Sequence, residues 1–77
     1  MLNIIEMKEV TDGIFIPDIS FILHDTNDWL ERNKGYSCVG NKYTKEFLMA
    51  FSNDVDALPY VFTHFDVDTL CIRGLPE

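Results

Sequence analysis

The second half of this chain has almost no positive charge. Residues 46–77 hold one base, Arg73, against six acids: Glu46, Asp54, Asp56, Asp66, Asp68 and Glu77. Residues 1–45 are close to balanced, with seven acids and five bases. The net charge of −7 therefore sits mostly toward the C-terminus. That sign disfavours direct binding to a phosphate backbone. It favours a protein partner with a basic surface, because opposite fields raise association rates.

Cysteine is also scarce. Cys38 and Cys71 are the two present, 33 residues apart and outside any CxxC spacing. This excludes a disulfide framework and points to two reduced, partly buried thiols in a cytoplasmic protein, with a single disulfide as the alternative. Long apolar runs are missing as well: nothing approaches the roughly 18 residues that span a bilayer. "MLNIIEMKEV" has no basic start and is broken by Glu6, so it does not read as a leader. The chain reads as one complete small frame with no membrane role. The four glycines, Gly13, Gly35, Gly40 and Gly74, are isolated turn residues, which leaves no glycine-rich loop to cradle phosphate.

What remains is the composition of a globular domain: 47% hydrophobic and 13% aromatic over 77 residues, well away from disorder. One small domain is expected, with a thin stability margin. "LNIIEMKEV", the turn "TDG" and "IFIPDISFILH" predict a β-hairpin over 2–24. Pro17 cannot donate a backbone hydrogen bond and must mark an edge, bulge or break in the second strand. "DTNDWLERNKG" predicts a short helix, with Asp28 and Glu31 at capping-box spacing and Gly35 as its stop. "YSCVGNKY" reads as a strand.

From Thr44 to Leu58 the spacing of Phe47, Leu48, Phe51, Val55 and Leu58 predicts a second helix ended by Pro59. A strand over "EFLMAFS" is its rival, since Phe47, Met49 and Phe51 also alternate. Tyr60 to Ile72 then reads as a strand, or as two strands turning near Asp66–Asp68. The sum is an α+β fold of order β-β-α-β-α-β. It is a mostly antiparallel sheet of about four strands with two helices on one face.

Four groups of residues are worth weighing for chemistry. On a strand from Tyr60 to Ile72, His64, Asp66 and Asp68 share one face, but the outer pair would be about 13 Å apart at Cα, too far to share a metal ion. A solvated strand face accounts for them. His24, Cys38, His64 and Cys71 are zinc-ligand types without the closely paired spacing zinc sites use. A nucleophilic cysteine would need an adjacent base, and buried cysteines are generally inert. No catalytic residue, metal or cofactor is expected.

The two features that point outward are an acidic patch of Asp54, Asp56, Asp66 and Asp68, and an apolar surface of Phe15, Ile16, Ile19, Phe21 and Leu23. The acidic patch has aromatics interleaved and no Lys or Arg between Phe47 and Ile72. It suits a non-enzymatic binding module, for example an inhibitor of the phage or mobile-element type that imitates a row of phosphates. The apolar stretch Ile14–Leu23 is apolar on both strand faces. It suits self-assembly, as a homodimer or a structural subunit.

Overall fold

A computed structural model describes residues 7–33 and 35–73. Five antiparallel strands form one sheet in the order β1-β2-β4-β3-β5. They are β1 (Met7–Thr11), β2 (Ile14–Pro17), β3 (Tyr36–Asn41), β4 (Phe47–Ser52) and β5 (Leu70–Arg73). Two helices, α1 (Thr26–Arg32) and α2 (Leu58–His64), and a 3-10 turn at Val67–Thr69 complete it. The α+β class holds. Three details differ from the sequence expectation: the described residues form five strands, the second helix lies later, and the helices do not share a face.

The faces follow from β3. Cys38 and Val39 are consecutive, so they point to opposite sides of the sheet. Cys38 packs with Leu23, Trp29, Phe47 and Ala50 on the α1 side. Val39 packs with Ile14, Met49, Ala57 and Val61 on the α2 side. Each seven-residue helix thus seals one thin core, Trp29 being the buried residue of α1 and Val61 that of α2. Fully burying a side chain of this size contributes about 1.5–3 kcal/mol.

Local chemistry sets the ends of these elements. Asp12 and Gly13 turn the β1–β2 hairpin, and Gly13 takes φ 77°, which an L side chain rarely adopts. α1 starts one turn earlier than its sequence suggests. Asp25 is the N-cap, and its carboxylate accepts from the Asp28 amide at 3.1 Å. Asp28 reaches back to the His24 and Asp25 amides. The capping box is therefore Asp25/Asp28, not Asp28/Glu31. After Arg32 the buried Asn33 closes the helix, its side-chain nitrogen turned to donate to the Trp29 and Leu30 carbonyl oxygens.

The predicted helix over Thr44–Leu58 is a strand and a turn. Asn41 ends β3, and its Oδ1 accepts from the Tyr43 and Thr44 amides at 2.8 and 3.0 Å. Lys45, at φ 66°, completes a hairpin into β4. In β4, Val39 pairs with Met49 but Gly40 pairs with Phe47, so Leu48 is an extra, bulged residue. The bulge puts Phe47 and Ala50, three apart, on the same α1 face. That spacing imitates a helix.

The predicted strand from Tyr60 to Ile72 is mostly α2 and the 3-10 turn, with β5 beginning only at Leu70. Pro59 does not end a helix. It stands in the first turn of one, where a missing amide hydrogen costs nothing. The hairpin expected over 2–24 is shorter: its second strand stops at Pro17, and the part over residues 2–6 lies outside the described residues.

Gly40 gives the fold a checkable contact. A Cβ there would stand 2.9 Å from Trp29 Cη2 and 3.0 Å from the Glu46 carbonyl oxygen. Gly40→Ala should therefore push Trp29 off the sheet and cost about 1–3 kcal/mol. Trp29 is the sole tryptophan, so denaturation followed by its fluorescence measures both effects. An unchanged midpoint and emission maximum would contradict this packing.

Candidate functional site

The described residues offer two surface features with chemistry in them: a cleft beside the bulge, and the outer side of α2. The cleft arises because β2 and β4 separate. They pair at Ile14–Phe51 and Phe15–Ala50. Beyond that Pro17 ends β2, and the chain returns to β4 only where Phe21 O accepts from the Phe47 amide (2.9 Å) and Ile22 bridges to Glu46. Residues 16–20 arch away opposite the bulged Leu48. The opening, about 350 Å³, is lined by Ile16, Pro17, Phe47 and Leu48, and by Tyr60, His64 and Phe65 from the end of α2. Ser20 and Glu46 add the polar groups.

Those polar groups have defined partners. Ser20 Oγ donates to Glu46 Oε2 at 2.8 Å. His64 Nδ1 lies 2.9 Å from the Tyr60 carbonyl oxygen. A carbonyl can only accept, so Nδ1 carries the proton, and in the neutral ring Nε2 is left as an acceptor. The Tyr60 and His64 rings stack at 3.9 Å with an interplanar angle of 16°.

The outer side of α2 carries Leu58 and Phe62 one turn apart, 46% and 62% exposed. Val67 and Ile72, nearly as exposed, follow in the 3-10 turn and β5. Asp54 and Asp56 precede α2, and Asp66 and Asp68 follow it. A seven-residue helix is about 10 Å long, so the four acids stand as two pairs at its ends. Two of them also have local duties: Asp56 Oδ1 accepts from the Leu58 amide at 3.4 Å, and Asp66 Oδ1 from the Asp68 amide at 3.2 Å.

The expected strand face of His64, Asp66 and Asp68 does not exist as a strand. His64 closes α2, Asp66 caps the 3-10 turn, and all three side chains are exposed. Among the described residues no three His, Cys, Asp or Glu side chains gather as metal ligands. Nor is any described helix long and apolar enough to cross a membrane.

The expected apolar surface is divided. Phe15 meets Tyr36 edge-on at 5.6 Å, while Ile16 points to the opposite core. Phe21 stacks on Phe47 at 5.0 Å under the Arg32 guanidinium, and Leu23 is 1% exposed. Of the five, Ile19 stands well out of the surface, 69% exposed. The cleft itself was not foreseen. Pro17 within an apolar run was its one signal in the sequence.

No family model, curated protein or solved structure matches this chain, so its own geometry is what bears on function.

Both thiols are free, and they differ. Burial pushes the Cys38 thiol up from 9.0 to about 12, against a smaller downward pull from Arg32. A thiol held protonated at neutral pH is a poor nucleophile. The same shift has a stability consequence. Between pH 9 and 12 the unfolded chain releases a proton that the folded chain keeps. The stabilisation is present below about pH 9 and is lost as pH rises toward 12, by up to about 1.4 kcal/mol per unit. Urea unfolding from about pH 8 to about pH 10.5 should show this slope, and Cys38→Ala should flatten it. An equal slope in the variant would refute the assignment.

Proposed function

We propose that this protein is a non-enzymatic binding module that engages a basic protein surface through the outer side of α2. The observation that carries this reading is the exposed Leu58–Phe62 pair on a helix with two aspartates at each end. An apolar centre with a charged rim is the anatomy of a protein-binding surface: the centre supplies desolvation and the rim steers the approach. The absence of Lys and Arg between Phe47 and Ile72 leaves nothing on this stretch to repel a basic partner.

Imitation of nucleic acid is the less favoured form of this reading. A row of phosphates is evenly charged and has no apolar centre, whereas here the acids are parted by Leu58 and Phe62. The partner that fits best has a shallow apolar depression ringed by Lys or Arg. Inhibition of such a protein is one use of this binding. A cytoplasmic setting, in keeping with two free thiols, belongs to the same proposal.

Two variants separate the contributions. Capture of a partner from nuclease-treated lysate should weaken as salt rises. Asp54→Asn/Asp56→Asn should slow association several-fold and leave the dissociation rate nearly unchanged. Phe62→Ala should do the opposite and raise the dissociation rate, by about tenfold for a loss of about 1.4 kcal/mol. Phe62 is already exposed, so folding should survive. Binding indifferent to salt and to both variants would sink the reading.

A further inference from the structure

The cleft between β2 and β4 plays no part in the proposed surface, and its composition differs from that surface. Its apolar and aromatic side chains are Ile16, Pro17, Leu48, Tyr60 and Phe65, while Phe47 borders it on β4 with its own ring packed in the α1 layer. Glu46 is the one carboxylate among its lining residues, and no Lys or Arg lines it. Ser20 occupies one oxygen of that carboxylate, Oε2, at 2.8 Å. It orients Glu46 and leaves Oε1 for another donor. His64, with its Nδ1 proton committed to Tyr60 O, adds an acceptor at Nε2 when its ring is neutral.

A cavity of this makeup selects by charge as well as by shape. An anion would meet Glu46 with no cation to offset it. A neutral apolar molecule would bury its body but leave the carboxylate without a new partner. An ammonium group offers donors to Glu46, and aromatic faces attract cations. At about 350 Å³ the space lies at the lower end of small-molecule sites and exceeds one amino-acid side chain. The bulge at Leu48 and the break at Pro17 both cost sheet pairing, and both serve to open this space.

We infer that the cleft binds a small organic amine, its apolar or aromatic body between Leu48 and Phe65 and its ammonium group against Glu46. This site is independent of the protein partner. The occupant is a free amine, since the cavity is larger than a lysine or arginine side chain fills.

The test uses the isotope-labelled full chain and its amide chemical shifts. Phenethylammonium is titrated in, with phenethyl alcohol and N-acetyl-lysine methylamide in parallel. The expected result is saturable shifts at Ser20, Glu46, Leu48 and His64 with the amine. Affinity should be about tenfold weaker for the alcohol and for Glu46→Gln, the size of one lost charge-assisted hydrogen bond. Non-saturating shifts, or an alcohol that binds as well as the amine, would overturn the site. Tighter binding of the acetyl-lysine amide would overturn the free amine and make the cleft a socket for a polypeptide side chain. If Glu46→Gln does not fold, the amine-to-alcohol ratio on the unaltered chain decides alone.

Discussion

The extra residue Leu48 in β4 sets which side chains of that strand reach which core. Strict alternation would put Phe47 and Met49 on one face. With Leu48 bulged, Phe47 and Ala50 pack under α1 while Met49 packs under α2. A sheet covered on both sides by seven-residue helices has little apolar surface to spare. β4 lies at the centre of the sheet, and it must feed both layers. Phe47 serves the α1 layer by stacking on Phe21, and the Phe21 carbonyl holds the Phe47 amide. That junction, together with the Ile22–Glu46 bridge, returns the chain to the sheet after Pro17 and closes the gap between β2 and β4. Core packing and cleft therefore share a cause.

The class of fold was legible in the residues, and so was much of the first half. Thr11-Asp12-Gly13 signals its turn because a position at positive φ needs glycine, and Gly35 signals the end of α1 in the same way. The second half misled for identifiable reasons. A bulge at Leu48 breaks the period of two, so Phe47, Leu48, Phe51, Val55 and Leu58 read as helical spacing. Proline is compatible with a helix start and with a helix end, and sequence spacing alone does not say which. Taking Pro59 as a stop moved the helix one element early and left the real one to be read as a strand. The alternation that follows Tyr60, with Val61, Phe65 and Val67 apolar, completed the error. Val61 is buried because α2 turns it inward, not because a strand does.

The charge pattern was visible from the start, but its geometry was not. Counting acids after residue 46 predicts a negative surface. It does not say that a helix divides the acids into two pairs with Leu58 and Phe62 between them. That division changes the chemistry on offer. A contiguous acidic field works by long-range attraction and is screened beyond about 8–10 Å at ordinary salt. Paired acids around an apolar centre add a short-range term that salt leaves intact. The apolar stretch Ile14–Leu23 shows the reverse case. Its residues look like one surface in sequence because both strand faces are apolar, yet the strand stops at Pro17 and its two faces serve different layers, with Ile19 and Ile22 left exposed. Phe15 and Ile16 go to opposite cores for that reason.

A fold this small gains stability mainly by closing its sheet and its two cores. Here it leaves β2 and β4 apart for the length of residues 16–20, where Pro17 ends β2 and has no amide hydrogen of its own to offer β4. The space is lined by Leu48 and by aromatic side chains and holds one carboxylate oriented by Ser20. A packing fault would leave apolar groups alone. The presence of a hydrogen-bonded Glu46 in the lining, with no Lys or Arg beside it there, is what separates this cleft from a fault and ties it to a cationic ligand.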